Sequence, residues 1–283
     1  MTDSATADTL GSTQAQRRER GIDLLATLSG TSPDQIDGTA MERRHGALGS
    51  FAVDHVLGNL WSRPQLSRRD RSLIVVTFLT TIGAEAELAA HVDGALNHGL
   101  SPDEVREVVN QVAGYGGFPM AMHATRIVDK VIARRDGVER LPEREPAPPM
   151  DDADRWAAAT DVLGTLFGGR AATDPAEARA GIVDALGGVG EMAFDFGFGE
   201  LWARSELSRR DRSMVTVSIL AMLRCSEELA VHVPAALNHG CTRTEIEEIM
   251  VQLTVYGGFP RAVEGIRAAR AAFAKIDARA AKS

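Results

Sequence analysis

The sequence predicts an all-α protein built from one helical unit written twice, and three observations carry that prediction. The composition is rich in alanine and leucine with only 5% aromatic residues, which favours helices packed on helices over β-sandwiches and barrels. Apolar residues recur with helical period through most of the chain. A shift of about 141 residues also lays "LWSRPQLSRRDRS" (60–72) on "LWARSELSRRDRS" (201–213), "EAELAAHVDGALNHG" (85–99) on "SEELAVHVPAALNHG" (226–240), and the "YGGFP" at Tyr115 on the "YGGFP" at Tyr256. Roughly thirty identities in seventy ungapped positions mark a duplication rather than chance.

Each element follows from its residues. Residues 1–17 are small and polar and are expected to form a disordered tail. The first unit spans 18–135 and the second 154–278, related by an internal pseudo-twofold, and the proline- and charge-rich stretch 136–153 links them as an extended connection. With 283 residues and 44% hydrophobic side chains, each unit is expected to fill its own core. A unit opens on a helix, "IDLLATLSG" (22–30) facing "TDVLGTLFGG" (160–169), and a short helix precedes the tryptophan. The "RRDRS" helix follows; it carries β-branched residues but no alternation, so it reads as a buried helix. Gly99 and Gly240 stop the next helix. Ser101, Pro102 and Glu104 then open another as N-cap, first turn and capping-box partner, as do Thr242 and Glu245. "GGFP" breaks the chain before the last helix, with glycine supplying backbone freedom and proline starting the new turn.

The bulk properties exclude several functions. A net charge of −8 argues against nucleic acid and against an acidic membrane surface, and an anionic ligand would depend on local arginines. Cys225 and Cys241 have no counterparts in the first copy, which is no disulfide framework and fits a reducing compartment. The N-terminus lacks the apolar core of a signal peptide and no apolar run spans a bilayer, so a soluble cytoplasmic protein is expected.

Glu87, His91 and His98 lie four and seven residues apart, on nearly one side of a helix. Glu87 stands one turn before His91 and is placed to accept its N–H, fixing the tautomer and raising its proton affinity. Glu228 and His232 repeat the pair. Leu88, Val92 and Ala95 share that face and turn His91 inward. His98 and His239 precede the helix-stopping glycines, where a cation suits the helix dipole. No ligand cluster for a metal completes itself around these histidines. Arg69, Arg71, Arg210 and Arg212 flank an aspartate and are candidates to clamp a carboxylate through paired hydrogen bonds. A phosphate loop is absent, since neither its glycine spacing nor its Lys-Ser/Thr appears.

"LWSRPxLSRRDRSL", "ELAAHVDGALNHGLSPDEVREVV" and "YGGFP" together resemble the carboxymuconolactone decarboxylase family, in both copies and across most of 50–131 and 191–273. The resemblance implies the alkylhydroperoxidase D-like fold, assembly as trimers or hexamers, and a decarboxylase without a cofactor. A tandem chain would then be a covalent pseudo-dimer, and a trimer of such chains would mimic the hexamer. The family's peroxidase branch uses a Cys-x-x-Cys pair; here its positions hold Ala84 and Glu87, then Cys225 and Glu228, and its glutamate position holds Ser72 and Ser213. A dithiol cycle needs both sulfurs.

The resemblance therefore implies a carboxy-lyase acting on a small anionic lactone acid like 4-carboxymuconolactone in aromatic catabolism. His91 and His232 would deliver the proton, Glu87 and Glu228 would orient them, and the four arginines would hold the carboxylate. Trp61, Trp202, Phe118 and Phe259 are candidates for an apolar wall. His123 and Glu264, equivalent in the repeat, are candidates for a difference between the sites. The competing readings are an alkylhydroperoxidase-like redox protein and a non-catalytic helical assembly module.

Overall fold

The computed structural model describes residues 12–146, 148–169 and 171–282, and among them every regular element is a helix. The first copy comprises α1 (Gln14–Ser29), the short α2 (Ala40–His45) and α3 (Ala47–Phe51), a π-helical segment (Ala52–Leu60), α4 (Arg68–Ile82), α5 (Glu85–Asn97), α6 (Pro102–Tyr115) and α7 (Phe118–Arg135). The second repeats the order with α8 (Asp152–Leu166), α9 (Pro175–Leu186), α10 (Gly188–Met192), a π-helical segment (Ala193–Leu201), α11 (Arg209–Leu223), α12 (Ser226–Asn238), α13 (Arg243–Tyr256) and α14 (Phe259–Ala280). No helix among the described residues is long and apolar enough to cross a membrane.

Helix α1 starts at Gln14, inside the stretch expected to be a tail. Thr13 Oγ1 accepts from the Gln16 backbone N–H at 3.2 Å and the Gln16 side chain accepts from Thr13 N–H at 2.8 Å, a reciprocal cap that sets the first turn. Residues 1–11 of that stretch lie outside the described residues. At the other end α14 runs to Ala280, past the expected boundary at 278.

Helices α4 and α11 are the centre of the molecule. Ser67 and Ser208 cap them by accepting from the Asp70 and Asp211 backbone N–H groups at 3.0 and 3.1 Å, and every residue from 70 to 81 and from 211 to 222 is buried. Neither helix shows an apolar stripe because neither has a solvent face: α4 packs on α5, α6 and α7 of its own copy and on α11 and α13 of the other. The buried hydroxyls of Thr77, Thr81 and Ser218 donate to carbonyls one turn back, at 2.8, 2.7 and 2.7 Å, so their burial leaves no donor unpaired.

The expectation of a separate core in each unit is corrected here. One continuous apolar cluster runs from Leu24 through both central helices to Phe273, because α4 and α11 bury their inner faces on one another. Each fully buried leucine, isoleucine or phenylalanine contributes about 1.5–3 kcal/mol, and that contribution is shared across the repeat. A small second cluster of Ala159, Leu163, Ala178 and Phe194 lies under α8.

The π-helical segments are where the chain prepares the site. α1 and α8 lie directly on them: a Cβ at Gly58 would meet the Arg17 carbonyl oxygen at 1.9 Å, and one at Gly199 would meet Arg155 Cγ at 2.6 Å. Only glycine permits that approach. The wide turns end by donating the Trp61 and Trp202 N–H groups to the carbonyls of Val56 and Gly197, five residues back, at 3.0 and 2.9 Å. Such insertions re-aim a side chain, and here each swings a tryptophan into the core.

Candidate active site

The structure builds two equivalent clusters, each from both copies of the repeat. In the first, the indole of Trp61 stacks on His91 with centroids 6.0 Å apart and planes 17° apart, and Tyr256 meets the other side of the imidazole edge-on at 5.6 Å. Trp61 Nε1 donates to the Tyr256 hydroxyl at 3.1 Å. In the second, Trp202 stacks on His232 at 6.2 Å and 17°, Tyr115 stands edge-on at 5.4 Å, and Trp202 Nε1 donates to the Tyr115 hydroxyl at 2.8 Å. The tyrosine of each site belongs to the opposite copy, at the C-terminus of α13 or α6. It was read from sequence only as part of a helix break; the signal that could have found it is its repetition beside the histidine helix.

His91 and His232 point inward, as the apolar face of their helices predicts, but their surroundings differ from those expected. Burial pushes the imidazole of His91 down to about 4, with nearby His98 adding to the effect, and His232 falls to about 4 through burial and His239. Both are therefore neutral at pH 7. Glu87 and Glu228 are exposed, and among the described residues neither makes a hydrogen bond to its histidine. The expectation that they orient the rings and raise their proton affinity is corrected: first-turn carboxylates are favoured in water beside the helix N-terminus, and aromatic stacking fixes the rings instead. Among the described residues, no protein group engages either ring nitrogen of His91 or His232.

His98 and His239 are the opposite case, fully engaged. The Thr27 hydroxyl donates to the Leu24 carbonyl at 2.9 Å, so its oxygen accepts from His98 Nε2 at 3.1 Å, and Ser72 Oγ donates to Nδ1 at 2.8 Å. Ser213, Thr165 and the Val162 carbonyl repeat the arrangement around His239. Burial, then a neighbouring arginine, lowers both histidines to about 4. They are neutral tethers between α5 and α4 or α12 and α11, not the cationic helix caps that their position before glycine suggested.

The arginines are likewise occupied. Arg69 pairs with Asp211 at 2.9 Å and with Glu104, while Arg210 pairs with Asp70 at 3.0 Å and with Glu245 at 2.5 Å. These reciprocal bonds stitch the N-termini of α4 and α11 across the pseudo-twofold, which corrects the expectation that Arg69 and Arg210 await a substrate carboxylate. Arg71 and Arg212 have no exposed surface. Arg71 donates to Glu248 at 2.7 Å and Gln252 at 2.6 Å, and Arg212 to Glu107 at 2.8 Å and Gln111 at 3.1 Å. Both therefore lie beside the clusters, holding carboxylates of the opposite copy.

Phe118 and Phe259 do not join the clusters; they are 55% and 71% exposed. Phe259 and Glu264 line a groove of about 830 Å³ beside Arg224 and Ser226, and His123 lines the equivalent groove of about 810 Å³ beside Glu85 and Ala89. His123 Nε2 meets Glu85 at 2.9 Å, whereas Glu264 binds Arg224 and Ser226. Cys241 is buried and its thiol is pushed up to about 12, chiefly by burial; burial and Glu228 also raise Cys225. Neither has the lowered thiol of a reactive cysteine. No group of three metal-ligating side chains comes together among the described residues.

Comparison with known proteins bears on what such clusters do. The profile of the carboxymuconolactone decarboxylase family matches residues 48–130 and again 188–271. The chain is 38% identical over 65 residues to a 4-carboxymuconolactone decarboxylase of Acinetobacter baylyi, covering 23% of this chain and 48% of the relative. It is 37% identical over 75 residues to a nitrosuccinic acid decarboxylase of Metarhizium robertsii, covering 26% and 52%. An uncharacterized 15.0 kDa protein of Paracoccus denitrificans is 29% identical over 105 residues, covering 36% and 78%. The chain thus spans about half the length of the two relatives with named activities.

Proposed function

The chain belongs to the carboxymuconolactone decarboxylase family, whose profile matches more than half of it, and from that premise we propose that it decarboxylates a small organic acid, with His91 and His232 as proton donors. The observation that carries the reading is an imidazole walled by a tryptophan and a tyrosine, with neither ring nitrogen engaged by the protein. Packing alone does not require a ring with two free nitrogens at that place.

The substrate class follows from what the protein does not need to supply. In 4-carboxymuconolactone the carbon losing CO₂ is conjugated through the ring double bond to the lactone carbonyl, and in nitrosuccinic acid it bears a nitro group. Each acid contains its own electron acceptor. The protein's task is to hold the anion away from bulk water and to place a proton.

A neutral imidazole becomes the donor when the anion binds, because a carboxylate against the ring favours its charged form. His91 takes a proton from solvent as the complex forms. The bond to the carboxylate breaks, its electron pair enters the conjugated acceptor, CO₂ leaves, and the imidazolium returns its proton to carbon. Arg71 and Arg63 face the single carboxylate of Glu248, which leaves net positive charge beside the first cluster in an otherwise acidic protein. This is the contribution that remains for the arginines.

The same reading makes the chain self-associating, as a trimer of two-copy chains: Leu48 and Phe51, and their equivalents Val189 and Met192, are large apolar side chains at least 56% exposed. Light scattering is expected to give three chains per particle. The direct test of activity is CO₂ release from a panel containing 4-carboxymuconolactone, related lactone acids and nitrosuccinic acid, where turnover of at least one is expected. Stacking of both histidines on tryptophan favours a second reading, a helical assembly module without chemistry, and absence of turnover across the whole panel would select it.

A further inference from the structure

The two clusters are equivalent in their rings but not in the polar groups behind them. In the second, the Thr216 hydroxyl accepts from Gln111 Nε2 at 3.1 Å and lies near the Tyr115 hydroxyl. The Gln111 amide therefore has a partner at each end, Arg212 on Oε1 and Thr216 on Nε2. The residue equivalent to Thr216 in the first copy is Val75, buried and without a hydroxyl.

The consequence appears in the first cluster. Gln252 is fully buried, and its orientation is certain because Arg71 NH1, which can only donate, approaches Oε1 at 2.6 Å. Its Nε2 therefore points the other way, and it has no hydrogen-bond partner. The Tyr256 hydroxyl accepts from Trp61 and donates to no protein group among the described residues. A buried donor without an acceptor costs about 1–3 kcal/mol, and native proteins keep few of them without a ligand-related reason.

Charge separates the clusters in the same direction. Arg63 and Arg71 share one carboxylate, Glu248. Arg204 and Arg212 share Glu107, but Arg204 also pairs with Glu206 at 2.5 Å, and the position equivalent to Glu206 is the neutral Gln65. The first group carries a net positive charge and the second is balanced.

We infer that the chain has one ligand site, not two, so that of the two proposed proton donors only His91 meets the acid: the cluster of Trp61, His91, Tyr256 and Gln252 receives an acceptor oxygen of the acid, carboxylate or carbonyl, on the Gln252 Nε2 and Tyr256 hydroxyl donors, while Thr216 closes the second cluster. Val75 and Thr216 are then the residues that decide which cluster is open. The ligand class rests on the decarboxylase reading, but the asymmetry is testable without turnover.

The test is calorimetric titration of the full chain with 5-oxotetrahydrofuran-2-carboxylate, a saturated lactone acid that lacks the ring double bond and so cannot lose CO₂ by the route above. Wild type is expected to bind about one equivalent per chain. Val75→Thr is expected to lose binding at least tenfold while melting no lower than wild type, because its hydroxyl satisfies Gln252. Thr216→Val together with Glu206→Gln is expected to raise the stoichiometry toward two. Two equal equivalents in wild type, no binding in wild type, or unchanged binding in Val75→Thr would each overturn the inference, as would a crystal structure with ligand bound in which a buried water alone bridges Gln252 and Tyr256. Binding of one equivalent without CO₂ release from any acid would leave the site standing and remove only the proposed reaction.

Discussion

The two copies of the repeat share one scaffold and differ at a few positions behind the aromatic clusters and in the surface grooves. Both keep the serine-capped central helix, the glycine under the π-helical turn, and the tryptophan, histidine and cross-copy tyrosine. They differ at Val75 against Thr216, Gln65 against Glu206, and His123 against Glu264. Even the aspartate of each π-helical segment finds a different partner, Arg18 of α1 for the buried Asp54 and Arg179 of α9 for the half-buried Asp195. Duplication fixed one scaffold, and the pairing across the pseudo-twofold then made each site depend on residues of the other copy. Such a chain can change one site without dismantling either half.

The largest expected effect tests what the copies share. His91 and His232 have their proton affinity depressed from about 6.5 in an unfolded chain to about 4. The unfolded chain then binds more protons between those values, so folding stability is full above pH 6.5 and is lost as pH falls toward 4. Each deeply buried ring accounts for about 3 kcal/mol over that window. Urea unfolding at pH 7 and pH 5 is expected to show a drop that shrinks by equal amounts in His91→Ala and His232→Ala; a shrinkage in one variant alone would break the equivalence of the rings.

Next come the buried carboxylates. Glu248→Gln leaves Arg63 and Arg71 without a partner charge and is expected to cost about 3–5 kcal/mol in denaturant unfolding. Glu107→Gln is expected to cost less, since Arg204 retains Glu206. Equal losses would contradict the charge difference between the clusters. Trp61→Phe removes one hydrogen bond to Tyr256 and is expected to cost about 1 kcal/mol in stability, with Trp202→Phe alike.

The smallest effect lies at the end of α11. Arg224 adopts a left-handed conformation, φ 64°, where the first copy has Gly83 at φ 69°. Arg224→Gly relieves about 1 kcal/mol of backbone strain and removes an exposed ion pair with Glu264 worth under about 1 kcal/mol. Its melting temperature is expected within a few degrees of wild type, and a large loss would show that the Glu264 contact organises the groove.

Much of the scaffold was legible in the sequence because it is written in local terms. Caps at Ser101 and Thr242, stops at Gly99 and Gly240, and the break at "GGFP" depend on residues a few positions apart, and the repeat doubled each signal. The buried character of α4 was legible from its β-branched, mostly apolar run without strand alternation. The arginine partners were not, since Arg69 meets Asp211 and Arg71 meets Glu248 only after α4 and α11 pack together. Glu87 misled for a related reason: spacing of four allows a hydrogen bond to His91, but it cannot tell whether water competes better for the carboxylate. Tyr115 and Tyr256 looked like punctuation because nothing local shows that each closes the site of the other copy.

The account's central claim is that a buried imidazole gives the proton, and the pH dependence of kcat/KM reports the free enzyme directly. With His91 at about 4, the protonated fraction falls tenfold per unit above that value. On an acid that the chain turns over, kcat/KM is predicted to fall about tenfold per pH unit between pH 5 and pH 7. A flat profile, or activity in the His91→Ala and His232→Ala double variant equal to wild type, would contradict it.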